Sequence, residues 1–149
     1  MIIAGVDEAG RGPLAGPVIA AAVILPEVAR LEGISVRDSK QLSAKRRLVA
    51  ERAIRGVALA WAIGAASPRE IDQFNIHDAT LLAMRRAVLG LPLCPDRVLI
   101  DGKFVPRIDP PAEAIVGGDR SELTISAASI LAKVFRDRYM GFLDQRYPG

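Results

Sequence analysis

The stretch Ile2-Ile-Ala-Gly-Val-Asp7-Glu8-Ala-Gly10-Arg11-Gly12-Pro-Leu-Ala-Gly16-Pro17-Val18-Ile-Ala-Ala-Ala-Val-Ile-Leu25 decides the fold. Two apolar, β-rich runs, residues 2–7 and 18–25, flank a short connection of glycine and proline, which is the pattern of an antiparallel strand pair. The first run ends in two adjacent acids. Successive strand residues face opposite ways, so Asp7 and Glu8 serve one site only if the backbone bends beside them, and Ala9-Gly10 permits a bend. The glycines do not form a dinucleotide loop: the third is misplaced, and Pro13 and Pro17 flank a β-like run rather than a helix opening. No Walker-type Gly-Lys-Ser/Thr occurs either. The segment instead offers exposed backbone beside acids, with an arginine for a phosphate.

Outward from there, Ser43 caps a predicted helix running to residue 55, where Gly56 stops it. Residues 57–66 read as a third strand, although their alanines also suit a helix. Ser67-Pro68-Arg69-Glu70 is a helix start, with Ser at the cap, Pro in the first turn and Glu three residues on. A longer helix over 77–89 places Leu81, Met84 and Val88 on one face. Residues 97–101 and 113–116 are short strands, and a helix over 126–147 closes the chain. This order predicts an α/β domain: a mixed sheet flanked by helices. With no repeat, low-complexity tract or long linker, residues 1–149 read as one domain.

Composition narrows the function classes. Apolar residues at 50% and charged residues at 25% exclude whole-chain disorder. No apolar run reaches the roughly 18–20 residues that span a bilayer, and the N-terminus lacks the basic region of a secretory signal. A lone Cys94 leaves no intrachain disulfide, so the cytoplasm is the default location. The net charge of +3 rests on sixteen arginines against four lysines, and arginine forks suit phosphate. Aromatics at 5% argue against a single-strand stacking platform.

Acids also follow two later apolar runs, at Asp101 and Asp119. An Asp after a strand is most often a turn former, and Asp101-Gly102 is a standard turn pair. Yet strand ends are where ligands gather in α/β sheets, and converging carboxylates repel one another unless hard cations lie between them. With His77 and Cys94 each single of their kind, a zinc site is not expected and an oxygen-liganded ion is favoured. His77 itself reads as a helix-start residue. Phosphate is suited by Ser39-Lys40 with Lys45-Arg46-Arg47, which also reads as a solvated face. It is suited too by Ser126-Ala-Ala-Ser129 at a helix N-terminus, followed by Lys133, Arg136 and Arg138. That helix also packs the core through Ile130, Leu131, Val134 and Phe135.

Five blocks taken in order resemble the prokaryotic type 2 ribonucleases H, called ribonuclease HII. They are Gly5-Val-Asp-Glu-Ala-Gly-Arg-Gly-Pro-Leu-Ala-Gly-Pro-Val18, Asp38-Ser-Lys-Gln-Leu-Ser43, Asn75-Ile-His-Asp-Ala-Thr80, Leu99-Ile-Asp-Gly102 and Ser126-Ala-Ala-Ser-Ile-Leu-Ala-Lys-Val-Phe-Arg-Asp137. The resemblance implies a ribonuclease H-like fold and an endonuclease that hydrolyses the RNA strand of RNA–DNA hybrids. Single ribonucleotides embedded in duplex DNA are included, cut on the 5′ side to leave 3′-OH and 5′-phosphate ends. It implies that Asp7, Glu8, Asp101 and Asp119 hold two Mg²⁺ or Mn²⁺ ions about 4 Å apart. Asp137 competes for the fourth place, and the Gly-Gly-Asp context favours Asp119.

By the same resemblance Gly10, Arg11 and Gly12 read the ribonucleotide and its 2′-OH, and Ser39, Lys40, Asn75, Ser126 and Lys133 also touch the substrate. The expected partner is the hybrid or ribonucleotide-containing duplex, with no membrane, and the chain is expected to be a monomer. Family members usually continue with a block resembling Lys-Gly-Tyr-Gly-Thr, which these 149 residues do not contain; Tyr139 and Tyr147 lie outside such a context. A hybrid-binding module impaired in cleavage is therefore the alternative.

Overall fold

The computed structural model describes residues 1–11, 16–27 and 43–146. Strands β1 (Ile3–Ala9) and β2 (Val18–Ile24) form the expected antiparallel pair, with Ala4 opposite Ile24 and Ala9 opposite Ile19. Strand β3 (Ala60–Ala66) continues antiparallel beyond β2. On the other side of β1, β4 (Arg97–Asp101) and β5 (Ala112–Ile115) are added in parallel, giving a five-stranded sheet of order β3-β2-β1-β4-β5.

The period of two decides what each face meets. Ala4 and Val6 of β1 and Val18, Ala20, Ala22 and Ile24 of β2 pack beneath α3 (Ile76–Leu89), against Ala79, Ala83, Met84 and Val88. Ala21 and Val23 face the other way, toward Ala50 and Ile54 of α1 (Ala44–Val57) and Ala127, Ile130, Leu131 and Val134 of α5 (Leu123–Arg146). Every position of β2 is buried, so its Val-Ile-Ala-Ala-Ala-Val-Ile sequence lacks polar alternation. The fully buried Glu51 of α1 pairs with Arg55 Nε at 2.6 Å and with Arg138 Nη2 of α5 at 3.0 Å, tying the two helices together. Among the described residues no helix is long and apolar enough to cross a membrane.

Several element boundaries differ from expectation. Helix α1 runs through Gly56 to Val57, because Ala58 N–H closes the last turn on Ile54 O at 2.8 Å and the chain leaves in an extended conformation (φ −62°, ψ 137°). That exit needs no left-handed glycine, and β3 accordingly starts at Ala60 rather than at residue 57. A short helix α4 (Gly118–Ser121) fills a stretch for which no element was expected. Helix α5 begins at Leu123, three residues before the predicted Ser126.

The helix start at Ser67 forms as read. In α2 (Pro68–Phe74) the Ser67 side chain accepts from Glu70 N–H, and Glu70 Oε1 accepts from Ser67 N–H, each at 3.1 Å. Arg86 of α3 then forks onto Glu70, with both nitrogens 2.7 Å from its oxygens. Hydrogen bonding from Arg86 and from the Ser67 N–H holds the Glu70 carboxyl down at about 2, against an ordinary 4.5. A depressed carboxylate contributes stability above its unfolded pKa and loses it as pH falls toward the folded one. The melting-temperature gap between wild type and Glu70→Gln is therefore expected to be constant above about pH 5.5 and to close between about pH 4.5 and 2. A gap independent of pH would remove the charge from the explanation.

Candidate active site

Strands β1 and β4 run parallel, and their last paired positions are Val6 and Ile100. One step further along each strand stand Asp7 and Asp101, with Glu8 next on β1. The sheet thus delivers two acids side by side from segments nearly a hundred residues apart. Asp7, Glu8 and Asp101 each offer a carboxylate oxygen, and these oxygens all lie within 4.8 Å of one another.

The bend expected at Ala9-Gly10 is not what brings Asp7 and Glu8 together. Strand β1 stays in register with β2 through Ala9, and the left-handed turn comes afterwards, at Gly10 (φ 101°). Asp7 instead folds its carboxylate along the chain, where Oδ1 accepts the Glu8 N–H at 2.8 Å. The Asp7 carboxylate is so held beside Glu8.

Electrostatically the group is unfinished. Asp7 is only 4% exposed, and burial, followed by the Glu8 and Asp101 charges, pushes its carboxyl well above the ordinary carboxylate value. Glu8 Oε2 is buried with no hydrogen-bond partner among the described residues. A hard divalent cation answers both conditions, since it offsets the repulsion and coordinates the orphaned oxygen. The all-oxygen donor set suits Mg²⁺ or Mn²⁺.

Asp119 is buried at the start of α4, and its backbone N–H donates to Asp101 Oδ1 at 3.1 Å. Its carboxylate is not part of the 4.8 Å group. Asp137, the competing acid, lies elsewhere: its carboxylate is 3.5 Å from Arg47 Nη2.

Two pockets flank the acids. One of about 160 Å³ lies on the α3 side and includes Glu8, Asp101, Arg11, His77, Lys103 and Phe104 in its lining. The His77 ring stands edge-on to Phe104 with centroids 4.6 Å apart. The other, about 370 Å³, lies on the α5 side and is lined by Ala9, Gly10, Arg47, Lys133, Arg136 and Asp137. Lys133 and Arg136, at helical spacing i, i+3, share the α5 face toward Gly10, whereas Arg138 turns away to Glu51. Arg136 is buried, donates from Nε to Pro17 O at 3.1 Å, and occupies the space a Cβ on Gly10 would need.

Of the residues the sequence pointed to, Arg11 lines the smaller pocket with Glu8 and Asp101, and Gly10 and Lys133 line the larger one. Asn75 is exposed and caps α3, its Oδ1 accepting Asp78 N–H at 2.9 Å. Gly12, Ser39 and Lys40 lie outside the described residues. Ser126 requires correction. It does not open a helix with free N–H groups: its own N–H is bonded to Glu122 O at 2.9 Å, and the residue is fully buried. The helix starts earlier because Leu123 to Ile125 also take helical form. Arg47 enters from the Lys45-Arg46-Arg47 run read as suiting phosphate, whereas Lys103 and Phe104 were not singled out; nothing short of the fold distinguishes those two from turn residues.

The ribonuclease HII family profile matches residues 4–149. Ribonuclease HII of Acidovorax sp. (strain JS42) is 60% identical over 147 residues, which cover 99% of this chain and 69% of that protein. Among solved structures, the ribonuclease H2 from Pyrococcus horikoshii OT3 is similar with a TM-score of 0.87 at 29% identity, over 99% of this chain and 77% of that one. The ribonuclease HII of Archaeoglobus fulgidus, solved in complex with PCNA, has a TM-score of 0.84 at 26% identity, over 100% and 79%.

Proposed function

The chain belongs to the ribonuclease HII family and is a metal-dependent ribonuclease H, and on that premise we propose that residues 1–149 act as one catalytic domain that cuts the RNA strand of RNA–DNA hybrids. Single ribonucleotides within duplex DNA are substrates in this reading, cut on their 5′ side. The observation that supports it most is the convergence of the Asp7, Glu8 and Asp101 oxygens within 4.8 Å, beside a left-handed glycine turn that carries Arg11.

Asp7, Glu8 and Asp101 would hold the ions, with Asp119 as fourth acid, tied to Asp101 through its backbone. Mg²⁺ or Mn²⁺ held there would supply a bound water of lowered pKa and neutralisation of the charge that develops on the leaving oxygen. The chain's own groups position the substrate. In this reading the turn at Gly10 meets the ribose, where hydrogen bonding to the 2′-OH separates RNA from DNA. Arg47, Lys133 and Arg136 around the α5-side pocket face the phosphate backbone, which sets binding strength rather than sequence choice.

A labelled DNA duplex with one ribonucleotide, incubated in Mg²⁺ or Mn²⁺ beside an all-DNA control, tests this. A single cut 5′ of the ribonucleotide is expected, suppressed by EDTA. Equal cutting of the all-DNA duplex would point to another nuclease activity on this fold. Tight hybrid binding without cleavage in either metal would leave a binding module.

A further inference from the structure

We propose that Ser126 is a positioning residue for the metal site, fixing the direction in which the Asp119 side chain leaves the backbone. This rests on the proposed role of Asp119 as the fourth acid. Both peptide units that flank the Asp119 Cα are held by hydrogen bonds. On the N-terminal side, Asp119 N–H donates to Asp101 Oδ1 at 3.1 Å. On the C-terminal side, the Asp119 carbonyl accepts from the Ser126 hydroxyl. Fixing both peptides fixes φ and ψ at the residue between them, and with them the Cα–Cβ bond.

The anchor is rigid. Ser126 is fully buried, and its N–H is bonded to Glu122 O at 2.9 Å inside the first turns of α5. Gly118 brings the other peptide close: a Cβ there would lie 2.6 Å from Ile125 Cδ1 and 3.5 Å from Asp101 Oδ1. Helix α4 has no side-chain cap of its own, and the two bonds to Asp119 tie it to β4 and to α5. Ser129, one turn further on α5, is as buried as Ser126 and serves as the comparison, a second buried serine on the same helix.

Groups that orient ligands in this way typically change metal affinity by about 10–100-fold when removed. The test measures Mn²⁺ binding to the full chain by the electron paramagnetic resonance of free Mn²⁺, without substrate. Ser126→Ala is expected to weaken Mn²⁺ binding by about tenfold, and Ser129→Ala to leave it unchanged. In cleavage assays Ser126→Ala lowers kcat at limiting Mn²⁺, recovers at saturating Mn²⁺, and keeps the wild-type KM for hybrid. Ser126→Cys, of similar volume but a poorer donor, gives the same direction and replaces the alanine variant if that one does not melt cooperatively. Wild-type Mn²⁺ affinity in Ser126→Ala, or an equal loss in Ser129→Ala, overturns the proposal while leaving the acid site intact. A wild-type chain that binds no Mn²⁺ overturns the metal-site reading itself, and this proposal with it.

Discussion

Asp7→Asn lowers the cleavage rate by about 10³-fold or more, leaves hybrid binding in place, and raises the melting temperature of the metal-free chain. The first effect follows from position. Asp7 is the buried member of the acid group, 4% exposed, with Glu8 and Asp101 oxygens within 4.8 Å. Metal-borne stabilisation of transition-state charge is worth several kcal/mol, and about 4 kcal/mol corresponds to about three powers of ten in rate. Binding is expected to persist because the cations proposed to meet the phosphates are other residues, with Lys133 and Arg136 lining the α5-side pocket.

The third effect has the opposite sign and separates this variant from a folding defect. Burial and the neighbouring charges raise the Asp7 carboxyl well above its ordinary 3.8, so ionisation at neutral pH costs stability in the metal-free chain. Stability from this group is full below the unfolded pKa and falls as pH rises toward the folded one. Asparagine removes that cost at similar volume. Single-turnover cleavage, fluorescence anisotropy with labelled hybrid, and thermal melting in EDTA at pH 7.5 measure the three quantities. Near-normal turnover would take Asp7 out of the site.

Gly5→Ala destabilises the fold by about 3 kcal/mol or more, the upper part of the range for overpacking. A Cβ at Gly5 would lie 2.5 Å from both Ile125 N and Thr124 O, which are backbone atoms at the start of α5. Backbone in a helix cannot rotate aside as a side chain does, so β1 and α5 must separate. With about 2–4 °C per kcal/mol for a chain of this size, the melting temperature is expected to drop by about 10 °C. Gly56→Ala is the comparison, since nothing lies within 4 Å of a Cβ there. A loss at Gly5 no larger than at Gly56 would refute the close-packing argument.

Legibility differed sharply among the parts. The β1–β2 pair was legible because two apolar runs around a short glycine-proline connection have few other ways to bury themselves. The α2 start was legible because its capping box is written within four residues. Where α1 ends was not, because a helix can leave through an extended Ala58 without using the nearby glycine. Helix α4 was hidden for a related reason: four residues carry no periodicity, and contacts with Asp101 and Ser126 define it.

The acids divide along the same line. That Asp7 and Glu8 close a buried run, and that Asp101 closes another, is written in the chain. That the two runs are adjacent parallel strands ending at the same level is a property of the sheet, set by the Val6–Ile100 register. Likewise Ser126 reads as a helix opener by residue type, and only the turns of α4 and α5 commit its hydroxyl to Asp119. Local signals, the caps, turns and apolar periodicity, act over a few residues, so the sequence by itself determined them here. The meeting of Asp7 with Asp101, the two pockets beside them and the support beneath Asp119 join distant segments, and only the tertiary structure decided those, because burial of both sheet faces selects one register.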